Sequence, residues 1–246
     1  MISPVACVIP AYQAAATLGA VAGGLRASLP GATLIAVDDG SRDATADVAR
    51  ACCDQVLVLP SNRGKGAALR AGLAAALAGG ARAVLTVDAD GQHDPASSPA
   101  LLAALDTADV ALGVRARAGG AMPPARRLSN ALASRAMSAC AGVPLPDAQS
   151  GFRALRRAVL ESVVAVGDRY EYESDFLIRA ARGGFRVVGV PVATIYGAPS
   201  HFRLLQDALL VMQTIWRHRD GALQRRAAAR AAGAAPWPAA GQGGSA

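Results

Sequence analysis

The chain has 246 residues, enough for one medium domain with a substantial core. It is 52% hydrophobic, 4% aromatic and carries a formal charge of +7, with Lys65 as its only lysine. The positive balance favours anionic partners such as nucleotides, lipid phosphates or a membrane surface. The basic, aromatic-rich motifs of nucleic-acid modules are missing, so no nucleic-acid partner is expected. Cys7, Cys52, Cys53 and Cys140 have neither CxxC spacing nor the pattern of a disulfide framework, and they read as reduced structural thiols.

The start, Met1-Ile2-Ser3-Pro4, runs straight into an apolar segment with no charged-then-apolar leader. No stretch supplies the roughly 20 apolar residues that a membrane span requires. A cytoplasmic location is expected, with peripheral membrane contact on the cytoplasmic face as a candidate.

Five short apolar runs read as strands: Val5–Ile9, Thr33–Val37, Val56–Leu59, Ala83–Val87 and Val110–Val114. Helical patterns separate them. The first buries Leu18, Val21, Leu25 and Leu29, and the second is expected to start at a cap, Ser41. The third carries Leu69, Leu73 and Leu77, and the fourth follows Asp94-Pro95 with Leu101, Leu102 and Leu105 inward. Repeated strand–helix units with continuously apolar strands predict an α/β fold, a Rossmann-like, mostly parallel sheet with helices on both faces. Ligands of such sheets bind beyond the carboxyl ends of the strands.

Past residue 120 the pattern changes: a helix is expected at about Arg126–Cys140, a loop over Pro144–Gly151, another helix, the acidic stretch Tyr170–Asp175, and a strand near Arg186–Val190. A last amphipathic helix, about Leu204–Arg217, groups Leu205, Leu209, Met212, Ile215 and Trp216. Between Arg203 and Arg230, six arginines against Asp207 and Asp220 leave a charge of +4, suited either to an anionic membrane or to docking on the domain. The catalytic domain is thus expected over residues 1–220. Residues 221–246, rich in Ala, Gly and Pro, read as a disordered tail.

The polar clusters fall at the strand ends. Asp88-Ala89-Asp90 follows a buried run. In extended backbone, side chains at i and i+2 share a side and can address one cation, with Gln92 adding an amide oxygen. Such oxygen donors suit Mg2+ or Mn2+ and leave positions for phosphates. Asp38-Asp39-Gly40-Ser41 places carboxylates where ribose hydroxyls or a base edge can be held. Asn62–Gly66 lacks the pattern of a Walker motif; its glycines are expected to let backbone approach a nucleotide, with Lys65 or Arg63 near the phosphates.

Val8-Ile9-Pro10-Ala11-Tyr12, Asp38–Ser41, Asn62–Gly66 with Ala67-Ala68, Asp88–His93 and Gln149-Ser150-Gly151-Phe152-Arg153 occur in family order. Together they resemble family 2 glycosyltransferases of the GT-A fold, especially the dolichol-phosphate mannosyltransferase-like branch, over residues 4–205. The resemblance implies that Pro10, Tyr12 and Asp39 hold the nucleoside and that Asp88, Asp90 and Gln92 bind the metal and diphosphate. Gly113-Val114-Arg115 resembles a Gly-Ser-Arg segment with valine replacing the hydroxyl, which makes Arg115, with Arg126 or Arg127, a candidate for the acceptor phosphate. Asp147 and Gln149–Gly151 resemble a loop closing the acceptor side, so Ser150 is a candidate phosphate ligand; His201 is another. Glu173 is assigned to the sugar site, with Asp175 as a second candidate base.

The implied activity is inverting transfer from a UDP- or GDP-sugar to an acceptor. A polyprenyl phosphate is slightly favoured over a saccharide or other hydroxyl. The competing classes are a sugar-phosphate nucleotidyltransferase, whose glycine- and arginine-rich opening is not matched by Pro10-Ala11-Tyr12-Gln13, and a non-catalytic nucleotide-sugar binder.

Overall fold

The computed structural model describes residues 2–115, 124–195, 212–214 and 216–218, with residues 124–130 by backbone alone. Strands β1 (Val5–Ala11), β2 (Thr33–Asp38), β3 (Gln55–Val58), β4 (Ala83–Thr86), β5 (Val110–Arg115), β6 (Arg153–Arg156) and β7 (Val187–Val192) form one sheet in the order β3-β2-β1-β4-β6-β5-β7. All pairings are parallel except those of β6, which runs antiparallel to both β4 and β5. The five expected strands of the first half are all present, within two residues at each end.

Strand alternation splits the core into two layers. Val8, Val37, Val84 and Leu112 face helices α3 (Lys65–Ala78), α5 (Pro124–Ala141) and α7 (Glu171–Arg182). Cys7, Ile9, Leu34 and Leu85 face α1 (Leu18–Ser28) and α4 (Ser98–Ala104). Cys7 and Cys140 are buried and all four thiols are free, as read from spacing; burial pushes the Cys7 thiol up to about 12.

Two local expectations are corrected. Helix α2 (Thr45–Cys52) starts four residues after Ser41, which does not cap it. Ser41 Oγ instead accepts the Gln13 N–H at 2.9 Å, and Thr45 Oγ1 accepts that of Ala14 at 2.8 Å, because the first loop has amides that no strand satisfies. Residues 153–156, where no strand was expected between the Pro144–Gly151 loop and the next helix, form β6. The acidic stretch opens α7, with Glu171 and Glu173 buried in its first turn. Asp94 does act as expected, accepting the Ala96 N–H ahead of α4. A short helix, α6 (Arg157–Ser162), follows β6.

Of the last helix, Met212–Thr214 and Trp216–Arg217 are described and helical. Thr214 and His218 face inward, whereas Met212 and Trp216 are 63% and 62% exposed. The tether is polar: His218 Nε2 lies 2.8 Å from Asp175 Oδ1, and the Arg182 guanidinium reaches both His218 Nδ1 and its carbonyl. Residues 219–246, expected to end in a tail, lie outside the described residues.

Leu85 fills the strand that carries the acidic loop. Leu85→Ala is expected to cost roughly 2–5 kcal/mol in urea unfolding, the usual range for a fully buried leucine.

Candidate active site

The reversal at β6 builds the centre of the site. Thr86 pairs with Arg153, and two residues further along that register Gly151 stands opposite Asp88. The Thr86 hydroxyl donates to the Gly151 carbonyl at 2.9 Å. A Cβ on Gly151 would lie 2.6 Å from both Lys65 Nζ and Asp88 Oδ2, so only glycine lets this backbone cover the pair. The demand is for space, since its φ is ordinary.

Beneath Gly151 lies a buried charge network. Lys65 Nζ is 2.6 Å from Asp88 Oδ1 and 2.8 Å from Glu173 Oε2. Arg153, 3% exposed, donates to the carbonyls of Ser150, Ala148 and Glu173, and its Nη2 lies 3.6 Å from Glu173 Oε1. Two cations thus balance two carboxylates. Burial alone would raise the Asp88 carboxyl, but Lys65, His93 and Arg153 outweigh it and hold the carboxyl below its ordinary range. Burial likewise opposes the Lys65 charge, yet Asp88 and Glu173 keep its pKa above that of an ordinary lysine.

The donor side is organised by Asp39. Its carboxylate accepts the N–H groups of Arg63 and Gly64 at 2.8 and 2.7 Å, tying the second loop to the third. Burial raises this carboxyl, and the two amides offset only part of that effect. Asp38 Oδ1 accepts the Ser41 N–H. Pro10 is buried at the end of β1, and Tyr12 stands half-buried beside it.

Gly64, at φ 107°, and Gly66 have a different use from the one expected. Their missing side chains admit the segment before α7: a Cβ on Gly64 would meet the Asp168 carbonyl at 2.5 Å, and one on Gly66 would meet Tyr172 Cβ at 2.5 Å. Ala67 N–H donates to the same Asp168 carbonyl, and Arg70 pairs with the Asp168 carboxylate. The glycines serve protein packing and hold Lys65 against α7.

The acidic loop is a turn, not the extended segment expected. Gly91 has φ 72°, and Asp90 Oδ1 accepts the Gln92 N–H at 2.9 Å. Residues after β7 clasp this loop: Asp94 N–H donates to Ala193 O, and Ile195 N–H to Gln92 O. His93 is buried at 5% exposure against Phe152, with ring centroids 5.2 Å apart. Burial brings its pKa down to about 4 against the pull of Asp88, so the imidazole is neutral.

On the acceptor side, Arg115 Nε and Nη2 form a two-pronged pair with Asp147, each contact 2.8 Å. The planar fork expected to meet a phosphate holds this carboxylate instead. Ser150 is 1% exposed and its Oγ accepts the Phe152 N–H, so burial removes it from the phosphate ligands. Asp175 is fully buried and accepts from Val166 N–H and Arg179 as well as facing His218, which ends its candidacy as a base. The side chains of Arg126 and Arg127, and all of His201, lie outside the described residues. Sequence reasoning missed Arg153, His93 and Gly151 as individual contributors; the one signal for Arg153 was an arginine placed within the apolar run Phe152–Leu155.

An open α/β sheet whose polar loops converge beyond the carboxyl ends of its strands has its ligand site at that edge. The family model for glycosyl transferase family 2 matches residues 6–164, and the chain belongs to that family. It is 35% identical over 201 residues to the undecaprenyl-phosphate mannosyltransferase of Micrococcus luteus, covering 76% of this chain and 82% of that one. It is 36% identical over 198 residues to the polyprenol monophosphomannose synthase of Mycolicibacterium smegmatis, covering 75% of each. Among solved structures, glucosyl-3-phosphoglycerate synthase from Mycobacterium tuberculosis with Mn2+, UDP and glucosyl-3-phosphoglycerate superposes with a TM-score of 0.69 at 24% identity, over 87% of this chain and 79% of that one. The same enzyme has been crystallised with Mg2+ and UDP. This likeness establishes the GT-A fold. Family membership sets aside the nucleotidyltransferase alternative.

Gly151→Ala is expected to force Lys65 and Asp88 apart while leaving the fold intact, since the clashing atoms are side-chain ends. Nucleoside diphosphate affinity, measured by calorimetry, should fall roughly tenfold or more, with circular dichroism unchanged.

Proposed function

We propose that the chain transfers a sugar from a UDP- or GDP-sugar to a polyprenyl phosphate. The observation that carries this reading is the state of the carboxylates near the acceptor side. Glu173 is buried between Lys65 and Arg153, and Asp175 is locked by Arg179, His218 and the Val166 amide. A hydroxyl acceptor needs a carboxylate to take its proton. A phosphate monoester arrives already anionic and needs none. The names of the two relatives, acting on undecaprenyl phosphate and making a polyprenol phosphate sugar, point the same way.

Asp88, Asp90 and the Gln92 amide form a set of hard oxygen donors on one turn, which fits Mg2+ or Mn2+ with positions left for phosphate oxygens. These three residues would hold the ion, which when bound supplies positive charge against the departing diphosphate. Lys65 adds a second positive charge beside these donors. Asp39, Pro10 and Tyr12 border the nucleoside side, and Asp39 keeps the Arg63–Gly64 backbone in position for it. Glu173 and Arg153 orient Lys65 without taking part in proton transfer. Attack from the face opposite the leaving group inverts the anomeric carbon. Arg126, Arg127 and His201 are candidate contacts of the acceptor phosphate from segments beyond the described side chains.

A polyprenyl phosphate resides in a bilayer, and the outward side chains of the last helix support contact there. Met212 and Trp216 point to solvent while Thr214 is buried and His218 anchors the helix to α7, and the surrounding sequence is basic. No helix among the described residues is long and apolar enough to cross a membrane.

Release of nucleoside diphosphate from GDP-mannose or a UDP-sugar is expected only when polyprenyl phosphate is added. Equal release with the dephosphorylated polyprenol would defeat the acceptor assignment. Met212→Ser/Trp216→Ser is expected to reduce sedimentation with anionic phosphatidylglycerol vesicles severalfold, with little effect on transfer to a short, water-soluble prenyl phosphate.

A further inference from the structure

We propose that Lys65 is a positioning residue that withholds Asp88 from a divalent cation until a nucleoside diphosphate is bound, so that cation and nucleotide enter as a unit. The inference rests on the metal assignment proposed above and adds an order of binding to it.

Three observations carry it. Lys65 Nζ sits 2.6 Å from Asp88 Oδ1 and 2.8 Å from Glu173 Oε2, with the lysine side chain only 14% exposed. A cation binding Asp88 at that oxygen must displace a buried ammonium and then lie beside it, a repulsion that burial strengthens. The second observation is the cover. Gly151 backbone lies so close that a Cβ there would be within 2.7 Å of Lys65 Nζ and of both Asp88 oxygens. An ion cannot enter between lysine and aspartate from that side.

The third concerns the remaining donors. Among the described residues, no three His, Cys, Asp or Glu side chains are gathered closely enough to hold a metal ion. Asp90 and Gln92 share a turn in which the Asp90 carboxylate already accepts the Gln92 backbone N–H. A nucleoside diphosphate changes both halves of this balance. Its oxygens complete the coordination of the cation, and its negative charge offers Lys65 a replacement for Asp88. The ammonium swings from carboxylate to phosphate, Asp88 is released to the cation, and no charge is left buried without a partner.

Mn2+ binding to the full chain, followed by loss of the aqueous Mn2+ paramagnetic resonance signal, tests this. The unaltered protein is expected to take up Mn2+ only when GDP or UDP is present. In Lys65→Met, affinity for Mn2+ alone should rise roughly tenfold or more, whereas Lys65→Arg should keep the nucleotide requirement. Should Lys65→Met not fold, Lys65→Met/Glu173→Gln removes one charge of each sign and is expected to show the same gain. Nucleotide-independent uptake by the unaltered protein, or no gain in either lysine-to-methionine variant, overturns the proposal. Failure of diphosphate to bring Mn2+ to any of the proteins overturns the metal assignment itself, a separate outcome.

Discussion

The site depends on one interaction, the contact of a single lysine with two carboxylates under the backbone of Gly151. Lys65, Asp88, Glu173 and Arg153 come from α3, the end of β4, α7 and β6, and their charges cancel in a poorly solvated place. Removing one partner of such a group typically costs roughly 3–5 kcal/mol, because the charge left behind has no water to replace what it lost. Each element is therefore constrained by the other three. The network is held in register from outside as well: Gly64 and Gly66 let the Asp168–Tyr172 segment press against the start of α3, and Asp39 pins the loop that precedes Lys65.

The antiparallel strand makes this geometry possible. In a fully parallel sheet, every strand would present its carboxyl end at the functional edge. By running the other way, β6 presents its amino end there, so a backbone segment with little side-chain bulk arrives beside the acidic loop. Gly151 lies on Asp88, Phe152 packs on His93, and Arg153 turns inward to Glu173. The same strand brings Asp147 near the end of β5, where it takes both prongs of Arg115. The site is preorganised largely by pairing charged groups with one another, which leaves few of them to act alone. That economy narrows the chemistry, because a buried carboxylate already enclosed by two cations is shut off from a substrate proton.

Helix α7 links this centre to the end of the chain. Glu173 faces the charge network, while Asp175, two residues on, meets His218 and Arg179. The last helix is therefore anchored through polar groups and turns Met212 and Trp216 outward, the reverse of what docking by its apolar face would give.

The sequence by itself determined the sheet, its mainly parallel sense and the edge where the polar loops gather, because apolar period and turn residues are local signals read within a few positions. It also marked the family motifs, and with them Asp39, Asp88, Asp90 and Lys65. It misjudged what several of those residues touch. Ser41 was read as a cap and closes a neighbouring loop, Ser150 was read as a ligand and is buried, and the loop glycines were assigned to a nucleotide but admit α7. Partners 24 to 108 residues away decide such roles, and spacing along a chain carries no record of them: Arg63 with Asp39, Gly151 over Asp88, Glu173 with Lys65. The direction of β6 belongs with them, since four residues of strand pattern read the same both ways and only pairing with β4 and β5 settles which end meets the acidic loop.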